Sequence, residues 1–196
     1  MRSIVRNLVR VFTVFTLVLL FSALAFAQGE ESENAADAYF KEAIAFEDAG
    51  LNNKAIEAYS KAIELDPLNT SGAYNNRGLL FRKKGMIEKA IRDHTEAIKL
   101  NADNAFAYSN RGNCYFELKK YDKAILDYTK AIELNPESVT AYKNRGVAYG
   151  NIGRYEKEIN DYESALAIDP NNYEVRDYLE QTYETLKAKS LKKMKR

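Results

Sequence analysis

The constraint that dominates this 196-residue chain is internal repetition: from Ala36 onward it repeats with a period of 34 residues, in copies at 36–69, 71–104, 105–138 and 139–172. A period in this range means stacked supersecondary units, none of which can bury its apolar face alone. Numbering each copy from its first residue, position 4 is Tyr39, Tyr74, Tyr108 and Tyr142, and position 8 is Ala43, Gly78, Gly112 and Gly146. Position 11 is Phe46, Phe81, Tyr115 and Tyr149. In the second half, position 20 is Ala55, Ala90, Ala124 and Glu158, position 24 is Tyr59, His94, Tyr128 and Tyr162, and position 27 is alanine throughout. Steps of three and four residues gather on one face of an α-helix, so each unit reads as two amphipathic helices. Gly50, Gly85, Lys119 and Gly153 mark the break between them, and Pro67, Pro136 and Pro170 follow the second helix, whose ladder proline cannot continue.

Four copies in register resemble the tetratricopeptide repeat family over residues 36–172. The resemblance implies an all-α fold: an α-solenoid of helix-turn-helix repeats, wound as a right-handed superhelix. Residues 173–196 keep helical spacing and read as a C-terminal capping helix with a basic tail, since such arrays need a polar end. The departures fall at Ala43, Ala102, Lys119 and Glu158, and tyrosine stands where tryptophan is usual at position 4. Glu158, on an alanine position, raises the sharpest question about local packing.

Ahead of the repeats, residues 1–10 carry Arg2, Arg6 and Arg10 without an acid, and 11–24 is an apolar run broken only by Thr and Ser. Ala25 and Ala27 then supply small residues at −3 and −1, so 1–27 reads as a signal peptide cut after Ala27. The chain is therefore expected in a periplasm or outside the cell, with no stable membrane anchor after cleavage. The competing reading is an uncleaved anchor, although the apolar run is shorter than the ~20 residues that span a bilayer comfortably. Residues 28–35 are polar at their start and read as a flexible leader. No cysteine follows the apolar run to accept a lipid, and the lone Cys114 cannot form an internal bridge.

Charge is segregated: the whole chain is +1, but segment 28–186 is −8 and the last ten residues hold six bases and no acid. An acidic body opposes nucleic-acid binding. With one histidine, one cysteine and no glycine-rich phosphate loop, no catalytic or metal-binding constellation is present, and neither an enzyme nor a cofactor is expected.

The tyrosine content is mostly repeat core, and His94, on a tyrosine position, is expected to be packed and hydrogen-bonded. Arg77, Arg111 and Arg145 at position 7 occur together with Asp93, Asp127 and Asp161 at position 23, whereas the first copy has Glu42 and Ala58. Joint presence and joint absence predict a structural ion pair between helices. The family resemblance implies that positions 2, 5, 6, 9, 12 and 13 face a concave groove. Carried onto this chain, it makes Asn76, Asn110, Asn144, Asn113, Leu79, Arg82, Lys83, Phe106, Phe116, Lys143 and Val147 the candidate peptide-binding residues. Asparagine recurs at position 6, where a weak helix former needs a reason. Its amide can match the C=O and N–H of an extended chain, one asparagine for about every third peptide residue; the other reading is that these asparagines bond within the array. The lysine and arginine set that some family members use to clamp a C-terminal carboxylate is incomplete here, which disfavours chaperone-tail recognition. The expected partner is a protein or extended peptide held by an assembly factor or adaptor; the alternative is an oligomerisation or adaptor module acting through the convex face or basic tail.

Overall fold

The computed structural model describes residues 31–194, and the expected signal peptide with its Ala25 and Ala27 lies outside them. Every regular element among the described residues is an α-helix. None is long and apolar enough to cross a membrane. The chain divides into two compact units, one ending at Asn69 and one starting at Thr70.

The first unit holds α1 (31–48) and α2 (Asn52–Leu65). Residues 31–35, assigned to a flexible leader on sequence, are helical and continue into α1, as their glutamates and alanine favour. Ala43 and Tyr59 are fully buried, Phe40 packs on Tyr59 with ring centroids 5.6 Å apart, and the Tyr59 hydroxyl donates to Glu47.

The second unit runs α3 (Ser71–Lys83), α4 (Ile87–Leu100), α5 (Ala105–Glu117), α6 (Tyr121–Leu134), α7 (Val139–Asn151), α8 (Tyr155–Ile168) and α9 (Tyr173–Met194). Helices pair as α3 with α4, α5 with α6 and α7 with α8, and each pair stacks on the next through α4 on α5 and α6 on α7, with α8 on α9 closing the series. Asn104 and Ser138 cap α5 and α7 by accepting the amides of Ala107 and Ala141 at 3.1 and 3.3 Å. Within each repeat the first helix ends in a left-handed residue at position 15: Gly50, Gly85 and Gly153 at φ near +73°, and Lys119 at +57°. The next amide bonds back to the carbonyl of position 11, as Met86 does to Phe81 at 2.9 Å, which turns the chain into the second helix.

Position 8 sets how closely the paired helices approach. A Cβ built on Gly78, Gly112 or Gly146 would lie 2.7–2.8 Å from the buried ring at position 24, His94, Tyr128 or Tyr162. Alanines at positions 20 and 27 fill the rest of the interface at zero to 2% exposure. The fourth copy breaks this rule at Glu158, and the break is accommodated locally. Position 12 is Gly150, whose missing Cβ would stand 2.5–2.6 Å from the Glu158 carboxylate, and the Tyr162 hydroxyl donates to Oε1 at 3.1 Å.

Candidate functional site

The arginines at position 7 are structural. Arg77, Arg111 and Arg145 each hold Asp93, Asp127 and Asp161 through Nε and Nη2, all at 2.7–2.9 Å. Each guanidinium also lies over ring faces of its own helix, Tyr74 and Phe81 for Arg77, Tyr108 for Arg111, and Tyr142 and Tyr149 for Arg145, with its central carbon 5.5–6.0 Å from the ring centroids. Arg111 and Arg145 use Nη1 to reach back to Thr95 and Thr129 of the preceding repeat at 3.2 and 3.0 Å. One side chain thus joins the two helices of a repeat and ties that repeat to its neighbour.

His94 is fully buried, as expected, but the expected hydrogen bonds are absent: neither ring nitrogen has a partner among the described residues. The reason lies in the repeat positions around it. Tyrosines at position 24 donate to Glu47, Asn113 or Glu158, and the second copy has Arg82, Leu79 and Ala90 at those three places, none of which accepts a hydrogen bond. Burial, reinforced by the nearby charges of Arg82 and Arg111, pushes the imidazole down to about 4. Burial likewise pushes the Cys114 thiol up to about 12, so this cysteine is a packing residue.

The first helices of the repeats place a row of amides along one face of the second unit. Asn110 Nδ2 donates to Asn75 Oδ1 at 3.1 Å, and Asn144 Nδ2 donates to Asn113 Oδ1 at 3.0 Å, which also accepts from the Tyr128 hydroxyl at 2.7 Å. Asn75 Nδ2 in turn lies 3.4 Å from Asn76 Oδ1. The bonding within the array weighed on sequence is therefore present, and it involves only half of each outer amide. The Oδ1 atoms of Asn110 and Asn144 keep their acceptor capacity, set in place by the donor half.

Beside this row lies a groove of about 360 Å³ lined from α3, α5, α6, α7 and α9. It brings together Arg82, Asn113, Phe116, Lys143, Asn144 and Val147 of the candidates. Asn76, Asn110, Leu79 and Lys83 lie outside this cavity, and Phe106 is 73% exposed. Four further residues complete the wall: Glu117, Tyr128, Glu174 and Tyr178. Two of these could have been found by continuing the repeat count past 172, which puts Glu174 at position 2 and Tyr178 at position 6 of a fifth first helix. The groove is electrostatically self-compensated: Arg82 faces Glu117 at 3.3 Å, and Lys143 bonds Glu174 at 2.8 Å, which holds that carboxyl below its ordinary range. Tyr178 stacks on Tyr162 with ring centroids 5.9 Å apart.

The arrangement offers apolar lining from Phe116 and Val147, oriented amides and two ion pairs whose carboxylates are the more exposed partners. Such a surface suits a main chain flanked by mixed side chains. Among the described residues no cluster of acidic, histidine or cysteine side chains could hold a metal ion.

The family model described as the tetratricopeptide repeat matches residues 105–138 and 139–172, and further models with that description match 36–67 and 58–92, with one described as a TPR repeat on 78–119. No curated protein matches the chain. Among solved structures, the crystal structure of MamA protein is 26% identical with a TM-score of 0.73, over 82% of this chain and 88% of that one. The first TPR of Spaghetti (RPAP3), solved bound to the HSP90 peptide SRMEEVD, is 30% identical with a TM-score of 0.58, over 59% of this chain and 92% of that one. YrrB, at 22% identity and a TM-score of 0.69 over 81% of each chain, shares the fold. With matches that together run from residue 36 to residue 172 and a helical pair in every copy, the chain belongs to the tetratricopeptide repeat family.

Proposed function

We propose that this protein is a non-enzymatic interaction scaffold that holds an extended segment of a protein partner in the groove beside Asn144. The observation that carries the reading is the convergence of oriented amides with an apolar lining: Asn113 and Asn144 fix each other, and Phe116 and Val147 lie within the same wall. An extended chain laid there meets the Asn144 Oδ1 as an acceptor for its N–H groups, and side chains on alternate residues point to that lining or to solvent. Kinship with a repeat domain solved on a peptide supports the same mode. The occupant differs in kind from an acidic tail, because both groove cations are already paired with Glu117 and Glu174.

Residues 1–27 are proposed to export the chain, placing the scaffold in a periplasm or outside the cell as an assembly or adaptor factor. Detection of a mature N-terminus at Gln28 on protein isolated from the cell tests this, and a retained Met1 would contradict it. Binding is tested with Val147→Arg, a half-buried groove position. Loss of partner binding by a variant that keeps its helicity is the expected result; undiminished binding would refute the groove.

A further inference from the structure

One face of the first unit matches surfaces that are covered elsewhere. In α5 and α7, positions 3 and 10 lie fully buried where the preceding second helix packs on them, as Ala107 and Cys114 and as Ala141 and Ala148. In α1 the same positions are Ala38 and Ala45, and both are exposed, together with Ala49 and Tyr39. The small-and-aromatic pattern that accepts a helix is retained with nothing from the described residues of the first unit on it.

That face also differs in charge from its counterparts. Where the other repeats lay an arginine over the ring at position 4, and in two of them over the ring at position 11 as well, the first has Glu42 at position 7. The result is an open groove of about 620 Å³ whose lining includes Tyr39, Glu42, Phe46 and Glu57 together with Lys54 and Lys61. Lys54 lies over the Phe46 ring and Lys61 pairs with Glu64, which leaves Glu42 and Glu57 as the carboxylates facing a ligand. Residues 31–69 carry a net charge of −6.

The complementary surface is at the other end of the chain. Helix α9 has 22 residues against 14 in α8, so it is longer by about 12 Å. Its last turns expose Leu191 at 47% and Met194 at 75%, among six bases with no acid from residue 187 onward.

We infer that the protein self-associates head to tail, the basic end of α9 from one copy docking on the α1–α2 face of another. A lysine of the tail lies against Tyr39 and Phe46 and meets Glu42, supplying the cation that position 7 lacks in this repeat, while Leu191 and Met194 cover Ala38 and Ala45. Because the two surfaces are different, the contact is heterologous and propagates rather than closing as a two-fold dimer. Opposite charge makes it sensitive to salt.

The test is sedimentation velocity on the protein as isolated from cells, in a concentration series at low and high salt. Two variants are used: Ala45→Arg, which blocks the receiving face at an exposed site, and a tail variant with Lys192, Lys195 and Arg196 changed to Glu. Wild type should grow in mass with concentration and dissociate in salt, and each variant alone should associate at least about tenfold more weakly. An equimolar mixture of the two should give a one-to-one dimer and nothing larger, because one intact face and one intact tail remain. Monomeric wild type overturns the inference, as does a mixture that stays monomeric or association indifferent to Ala45→Arg. Binding of the tail to anionic vesicles without self-association would also overturn it. Val147→Arg should leave self-association unchanged, so failure here is separable from failure of the peptide groove.

Discussion

Arg145 holds Asp161 through both carboxylate oxygens, Nε 2.9 Å from Oδ2 and Nη2 2.7 Å from Oδ1, with the Asp161 side chain 1% exposed. The pair is buried enough that desolvation matters: burial raises the Asp161 carboxyl above its ordinary range even with the guanidinium on it. Removing one partner leaves a buried charge alone, and Arg145→Ala should cost about 3–5 kcal/mol. The double replacement Arg145→Leu with Asp161→Leu should cost much less than the single change. Chemical denaturation of the two variants checks both, and a single variant as stable as wild type would contradict the structural role.

Gly150 and Glu158 are expected to be coupled. Gly150→Ala in the wild type drives a Cβ into the Glu158 carboxylate and should destabilise by about 1–3 kcal/mol. In a Glu158→Ala background the same change meets no carboxylate and should stabilise by up to about 1 kcal/mol, the helix preference for alanine. A thermodynamic cycle that shows additivity would contradict the compensation. The carboxyl also carries a pH signature, because burial raises it while Thr182 and Tyr162 hydroxyls oppose the shift. A carboxyl raised in the folded state costs stability as pH climbs from its ordinary value through the raised one, and Glu158→Ala should remove that slope.

His94 gives a slope of opposite sense. Its imidazole titrates near 6.5 when unfolded and near 4 when folded, so stability is complete above 6.5 and falls as pH drops between those values. The full loss is about 3 kcal/mol. His94→Phe should flatten this part of the profile, and an unchanged profile would show that another group titrates there.

Asn110→Ala with Asn144→Ala should weaken partner binding, measured by titration calorimetry. These residues also donate to Asn75 and Asn113. The fold should tolerate their loss at about 1 kcal/mol for each lost bond, because the amides lie on a half-exposed face. Unfolding of the double variant, or unchanged affinity, would contradict the groove role.

Much of this fold was legible because a repeat carries its own control. Position 8 against position 24, position 7 with position 23 and the left-handed turn at position 15 each recur, so a change in one copy exposes the rule. Less legible were features that depend on what stands opposite in three dimensions. The hydrogen-bonding of His94 required knowing that tyrosines at its position donate to positions 12, 9 or 20, which in its copy are Arg82, Leu79 and Ala90. The tolerance of Glu158 depended on Gly150, a helix-interior glycine that the periodicity alone did not explain. The lysines over the position 11 rings, Lys54, Lys89, Lys123 and Lys157, recur at position 19 in all four copies and were open to the same reading. In the groove, the candidate cations were legible, and so was Glu117 at position 13; Glu174 was not, since it sits beyond the last full repeat.

The central claim is that the groove face is where a partner chain lies, and site-specific photocrosslinking tests it most directly. A photoreactive side chain at Val147, in the groove, is compared with one at Leu126, 70% exposed on α6 and outside the groove. Position 147 should give a crosslinked partner whose attachment points map to one contiguous extended segment, and position 126 should give none. A partner captured from position 126 and not from 147 would contradict it.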